Sequence, residues 1–322
     1  MMNTRMVRRI ALATTAALAL TAGLSACSFA SDGNSADGTG KVRLAINNTV
    51  ASLPAVVADE RGFFKDEGVD IELTTVTDIS KIPATLGKQY DIGFGVQPTL
   101  ILAASKGIDI VMVSGNAITS EEEPEYVIMA RPDAGIKEPK DFVGKNLGSP
   151  TLNGNIHTGT LYWLEQNGVD AKSVNSLQVP TATMVDQLEA GLIDAAEMQQ
   201  PYIEIAREAG MVEAGYALSA VSNPTSMSSW QAERSWAENN LETLKKYRNA
   251  LDKAIQWISD NDDEARDLLA EFTGLDRNVI GDAPLSTYST EMSVDSVEQW
   301  DAPMRAVTSF NADLDYSSLV VK

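Results

Sequence analysis

The feature that most constrains the fold is an echo: short signals in the first third of the chain recur in the same order at offsets of 100 to 104 residues. Gly68-Val69-Asp70 closes one amphipathic segment, and Gly168-Val169-Asp170 closes its counterpart. Gly87 to Asp91 and Gly191 to Asp194 each lead from a helical pattern into an apolar strand pattern. Gln97-Pro98 and Gln200-Pro201 each follow that strand. Glycine supplies the left-handed turn that ends a helix, and proline cannot continue a strand ladder. Such punctuation repeated in order predicts two lobes of similar topology.

Between these signals, strand and helix patterns alternate. Val42–Ile46, Ile71–Leu73, Ile92–Phe94 and Ile108–Val113 read as strands, with helical periods over Leu53–Lys65 and Leu100–Lys106. Lys145–Gly148, Val174–Val179 and Ile193–Ala196 continue the plan, with helices over His157–Gln166 and Met184–Ala190, the latter closed by Gly191. Alternation of this kind predicts α/β architecture on a parallel sheet. Beyond Pro224, Ser226–Trp230 reads as an extended crossing segment. Asn240 then caps a long helix with Leu241, Leu244, Tyr247, Leu251, Ile255 and Ile258 at three- and four-residue spacing, and Asp262–Phe272 forms another helix ended by Gly274. A helical tail of this kind packs most simply on the first lobe. The expected division is lobe 1 from 41–125 plus 231–322 and lobe 2 from 126–230, with crossings near both of its ends and a cleft between the lobes.

The N-terminus reads as an export leader over 1–26. Arg5, Arg8 and Arg9 precede an apolar run from Ile10 to Gly23, and Leu24-Ser25-Ala26 leads to Cys27, the only cysteine. The run is shorter than the roughly 20 apolar residues a spanning helix needs. The order Leu-Ser-Ala-Cys matches a lipobox, so Cys27 is the expected lipidation site and the protein is expected outside the cytoplasmic membrane, anchored by lipid alone. Residues 27–40, rich in Gly, Ser, Asp and Asn, read as a flexible tether. Removing the leader takes away three arginines and no acid, leaving 22 basic against 45 acidic residues, a net charge of −23. Acidity of that size disfavours nucleic acid and anionic lipid as partners. With no cysteine beyond the anchor, stability rests on a large apolar core and not on disulfides.

Ligands in open α/β sheets bind beyond the carboxyl ends of the strands, which selects loops as candidates. In lobe 1 these supply Asn47, Asn48, Thr49 and Ser52 after the first strand, Gly95, Gln97 and Thr99 after the third, and Asn116 after the fourth. In lobe 2 they supply Thr151, Asn155 and His157, then Thr181, Gln199 and Tyr202, with Trp230 on the crossing segment. None of these loops holds Lys or Arg. Thr49–Ser52 and Thr151–His157 stand at expected helix N-termini, where free N–H groups favour an anion or a polar acceptor. Helix capping alone is the alternative role for each threonine, core packing the alternative for Trp230 and Tyr202, and burial near a helix start the alternative for His157. A single histidine cannot build a His-based metal cluster, and the expectation is no cofactor and no metal.

Ala58–Leu73 (Ala-Asp-Glu-Arg-Gly-Phe-Phe-Lys-Asp-Glu-Gly-Val-Asp-Ile-Glu-Leu), Gln89–Gly95, Pro139–Asn146 and Gly191–Ala196 resemble, in order, the nitrate/sulfonate/taurine substrate-binding proteins of ABC importers. The same superfamily includes binders of pyrimidine precursors of thiamine. The resemblance implies a type II periplasmic-binding-protein fold, with two lobes joined by a two-segment hinge and an interlobe cleft for one small solute. It implies delivery to an ABC permease and a monomeric, non-enzymatic protein. Sulfonate-binding members often carry a histidine after a serine-rich loop; here Thr-Leu-Asn-Gly-Asn precedes His157. A cytoplasmic branch that makes the thiamine pyrimidine uses a histidine near the first helix and a cysteine-rich segment. Ala51-Ser52-Leu53 and the lack of a cysteine cluster depart from it. A sensor subunit docking on a membrane receptor shares the same cleft and anchor.

Overall fold

A computed structural model describes residues 40–281 and 283–322; the leader, Cys27 and all of the tether but Gly40 lie outside the described residues. The strands in chain order are β1 (Val42–Ile46), β2 (Ile71–Thr75), β3 (Ile92–Gly95), β4 (Ile110–Gly115), β5 (Ala117–Thr119), β6 (Tyr126–Ala130), β7 (Asn146–Ser149), β8 (Asn175–Gln178), β9 (Ala195–Gln199), β10 (Val212–Gly215), β11 (Thr225–Ser226), β12 (Ser229–Glu233) and β13 (Thr287–Tyr288). The first sheet runs β2-β1-β3-β12-β4 and the second, read from its other edge, β8-β7-β9-β6-β10. In each, the first strand pairs in parallel with the next two. In each, the third strand then meets an antiparallel strand, β12 or β6. The echo in sequence is thus an echo in topology.

The expected parallel α/β sheet is found in both lobes, and each also carries one antiparallel strand. β12 belongs to the returning crossing, so Ser229 and Trp230 pair within the first sheet, whereas the expected lobe 2 ran to 230. β6 is buried along its whole length, as a strand covered on both faces must be. The crossings meet in a small third sheet, β11-β5-β13, to which the tail contributes β13. The tail also reaches the second lobe: the helix Asp301–Val307 lies on the helix Asn155–Gln166, and Val307 packs on the second lobe's core.

Two local expectations differ. The helix expected over Leu53–Lys65 stops at Glu60, because Gly62 takes a left-handed φ of 76° and restarts the chain as a short turn from Phe63. Asn240 does not accept a capping bond; its Nδ2 donates to the Trp236 carbonyl at 2.8 Å, tying off the helix before. The long helix Leu241–Asp260 buries Leu244, Tyr247, Ala250, Leu251, Ala254 and Ile258, while Leu241 stays exposed.

The first core is organised by aromatic contacts. Trp230, fully buried, meets Phe94 edge-on at 6.0 Å and Tyr247 edge-on at 6.1 Å, and Tyr247 stacks on Phe64 at 5.5 Å. β3, β12, the long helix and the Phe63 turn are joined through one indole. Truncating a buried tryptophan removes transfer energy and leaves a cavity, together about 3–5 kcal/mol. Trp230→Ala is expected to lose that amount in urea unfolding, and Trp230→Phe distinctly less. An alanine variant within about 0.5 kcal/mol of wild type, where ordinary surface substitutions fall, would contradict this core.

Candidate functional site

Between the lobes lies a cavity of about 300 Å³. From the first lobe it is lined by Asn47, Asn48 and Thr49 after β1, Val76, Thr77 and Ile79 after β2, and Phe94 and Val96 at the end of β3. From the second lobe come Pro150, Thr151, Gly154, Asn155 and Ile156 between β7 and its helix, Pro180 and Thr181 after β8, and Gln199 at the end of β9. Tyr126, Met227 and Ser228 close it from the crossings. The strand tips thus converge on one space, as the strand-end rule requires.

Of the residues selected from sequence, Asn47, Asn48, Thr49, Thr151, Asn155, Thr181 and Gln199 line this cavity. The others stand elsewhere, each for a visible reason. Ser52 is buried and donates to Asn47 Oδ1, holding that loop. Gly95 makes room for Gln231: a Cβ there would lie 2.3 Å from its carboxamide. Gln97 donates to Ser226 Oγ at 2.8 Å and fastens the helix Gln97–Ser105 to β11; Thr99 sits half-buried on that helix. Asn116 is spent on the Ala51 carbonyl and Ser228 Oγ. Tyr202 packs on the second lobe's core and Trp230 on the first's. His157 points inward beneath its helix, 5% exposed, with Nδ1 accepting the Asn153 N–H at 3.0 Å.

Sequence reading missed the apolar wall. Phe94, Val96, Tyr126, Ile156 and Met227 read as core by type, and only their position at strand tips and crossings signals a cleft.

The polar groups are unevenly used. No side chain caps the turn Val50–Ser52 or the helix Asn155–Gln166. Capping therefore does not account for Thr49, Thr151 or Asn155, and the first N–H groups of the helix Asn155–Gln166, whose Asn155 and Ile156 line the cavity, have no side-chain cap. Thr49 Oγ1 has no partner within the protein. Asn155 gives its Nδ2 to the Met227 carbonyl at 2.9 Å, so its oxygen is the pole left for a ligand. Asn47 accepts at Oδ1, so its amide is the pole left. No Asp, Glu, Lys, Arg or His lines the cavity among the described residues. Oriented N–H groups and hydroxyls there stabilise an acceptor-rich group without a formal countercharge.

Besides Asp91, two carboxyl groups are buried among the described residues. Glu197, on β9 two residues before Gln199, is buried, and burial pushes its pKa up to about 7, partly offset by the hydroxyls of Ser149 and Thr160. Glu125, at the crossing into β6, is pushed up to about 7 in the same way, partly offset by Ser286 and Tyr126. A carboxyl raised in the folded state favours folding in its protonated form; stability is greatest below the ordinary value of 4.5 and falls as pH rises through 7. Glu197→Gln is therefore expected to raise the melting temperature at pH 8, by a free energy of roughly 3 kcal/mol on the scale of 1.36 per pKa unit, and to change it little at pH 4.5. Equal effects at both values would show Glu197 to be charged and satisfied at neutral pH.

The family described as NMT1/THI5 like matches residues 49–265. YtlA of Bacillus subtilis (strain 168), which is named as a binding protein, is 23% identical over 257 residues, covering 74% of this chain and 73% of YtlA. The crystal structure of the periplasmic aliphatic sulphonate binding protein SsuA from Escherichia coli superposes with a TM-score of 0.70 at 19% identity, covering 87% of this chain and 97% of SsuA. The periplasmic nitrate-binding protein NrtA from Synechocystis PCC 6803 does so with a TM-score of 0.64 at 15% identity, covering 76% of this chain and 69% of NrtA. The two-lobed α/β architecture is the periplasmic-binding-protein fold, and the chain belongs to the NMT1/THI5-like family.

Proposed function

We propose that the protein is the extracytoplasmic solute-binding subunit of an ABC importer. It captures one small solute in the interlobe cleft and delivers it to a permease, with no bond chemistry of its own. The observation that carries this reading is the cavity itself: about 300 Å³, walled by strand tips of both lobes, lined by uncharged side chains and by the uncapped start of the helix Asn155–Gln166. The solute classes named for SsuA and NrtA, an aliphatic sulfonate and nitrate, suit those donors. The volume and the apolar wall favour the organic member of that pair, a sulfonate or taurine-like molecule, because a nitrate ion leaves most of such a space empty. A neutral heterocycle such as a thiamine pyrimidine precursor is the second reading, favoured by Phe94 and Tyr126 and by the uncharged lining.

Calorimetry with butanesulfonate, taurine, nitrate and the pyrimidine precursor is expected to give about micromolar affinity, roughly −8 kcal/mol, for one organic member. Silence across that panel and a cell extract, or turnover of any compound, overturns the reading. Thr49→Ala and Thr151→Ala are each expected to weaken binding about five- to tenfold, the worth of one hydrogen bond, with the melting temperature nearly unchanged.

The anchor belongs to the same proposal. Cys27 at the end of the leader is read as the lipidated residue that keeps the subunit beside its permease. Cys27→Ala is expected to move the protein from the membrane fraction to the soluble one; retention in the membrane would remove the anchor from the scheme.

A further inference from the structure

Asn153 is the one non-glycine described residue with a positive φ, at 59°. Asparagine enters this region more readily than other side-chain-bearing residues, and its neighbours decide whether it stays there. The surroundings are specific. The Asn153 N–H donates to His157 Nδ1 at 3.0 Å. The next amide, Gly154, donates to the Thr151 carbonyl at 3.1 Å, and that carbonyl also receives Ser149 Oγ at 3.3 Å. Gly154 fits closely, since a Cβ there would stand 3.0 Å from the same carbonyl oxygen. Residues 150–154 thus form a tight loop fastened at its left-handed residue by one imidazole. Pro150, Thr151 and Gly154 of this loop face the cavity; His157 does not.

The imidazole is held in an unusual way. Accepting at Nδ1 leaves the ring proton on Nε2, which is buried without a partner. The ring therefore leaves one buried nitrogen unpaired while its other nitrogen accepts from the left-handed residue of the loop. Burial draws the His157 pKa down to about 4, so the ring is neutral and Nδ1 is free to accept throughout the physiological range.

We propose that His157 is a positioning residue of the cleft: it holds Asn153 left-handed and so sets the loop that presents Thr151 and Gly154 to the solute. This rests on reading the cavity as the solute site, and the first two arms of the test need no solute. His157 is the only histidine, so the imidazole nitrogens of ¹⁵N-labelled protein report on it alone. At pH 7 they are expected to show the neutral ring protonated at Nε2; a ring protonated at Nδ1, or a charged ring, overturns the proposal. Amide exchange at Asn153, measured against amides of β9, is expected to rise about tenfold in His157→Leu. It is expected to return near wild type in His157→Asn, whose Oδ1 stands near the lost acceptor. Equal exchange in all three proteins overturns it. The third arm uses butanesulfonate as probe. His157→Leu is expected to weaken binding about tenfold, His157→Asn to recover most of the loss, and Asn153→Gly, which enters the left-handed region unaided, to make the leucine substitution nearly neutral. A leucine loss that is the same in the glycine background overturns the link to Asn153. Should the wild-type protein ignore butanesulfonate, the solute assignment falls while the nitrogen spectra and exchange rates still decide the role of His157. If the leucine variant does not fold, the asparagine and glycine variants carry the comparison.

Discussion

Each lobe is registered by one carboxylate. Asp91, just ahead of β3, accepts the Arg43 backbone N–H at 2.8 Å, its Nε at 3.0 Å and a terminal nitrogen at 2.6 Å. Asp194, just ahead of β9, accepts the Asn146 N–H at 2.9 Å and an Arg131 guanidinium at 3.0 Å. Burial pushes the Asp194 carboxyl up, but those donors outweigh it and hold the group below the usual carboxylate range. A slip of one residue between paired strands would turn every side chain to the wrong face. With β1 fixed against β3 and β7 against β9, the loops after β1 and β7 reach the same level as the ends of β3 and β9. The cleft is the consequence. Charge is used at the entering ends of the strands, where it sets register, and the leaving ends are free to be uncharged.

Much of this was legible in the sequence, and for a physical reason. Asp91 and Asp194 belong to the echo because both halves solve the same registration problem. β1, β2, β3, β7 and β8 follow from local apolar patterning, and Gly191 and Gly274 end helices with φ of 69° and 72° as expected. Strand direction was not legible. The buried run Tyr126–Ala130 carries no sign of whether it pairs parallel or antiparallel, because its partner lies some seventy residues away in β9. The crossing Ser226–Trp230 read as extended, which it is, but not as half of a sheet strand. The break at Gly62 was hidden by apolar residues on both sides that keep helical spacing through it.

The cavity lining was legible as loops and not as residues. The strand-end rule led to segments that line the interlobe cavity, yet Ser52, Gln97 and Asn116 are the same kinds of side chain as Thr49, Asn155 and Gln199. Whether a carboxamide faces a ligand or a neighbouring carbonyl depends on what tertiary structure brings to it, such as Ser226 to Gln97 across 129 residues. The apolar wall failed for the opposite reason. Phe94 is at once a cleft residue and the edge-on partner of Trp230, so its packing role conceals its surface. His157 combines both difficulties, since its hold on the cleft loop is exercised through a backbone amide four residues away.

A net charge of −20 would oppose an acceptor-rich solute if it acted at full range. Exposed charges further away than about 8 Å are largely screened at physiological ionic strength, so the surface carboxylates set solubility more than cleft potential. Inside the cleft the nearest fixed dipoles are the uncapped helix start at Asn155 and the hydroxyls of Thr49, Thr151 and Thr181. On the proposed reading as a solute site, exchanging water for those groups changes no formal charge, so discrimination would rest on the acceptors a solute offers and on its fit against Phe94, Tyr126, Ile156 and Met227. Glu197, two residues before Gln199 on β9, does not line the cavity, so the raised pKa that burial gives it adds no countercharge to the lining.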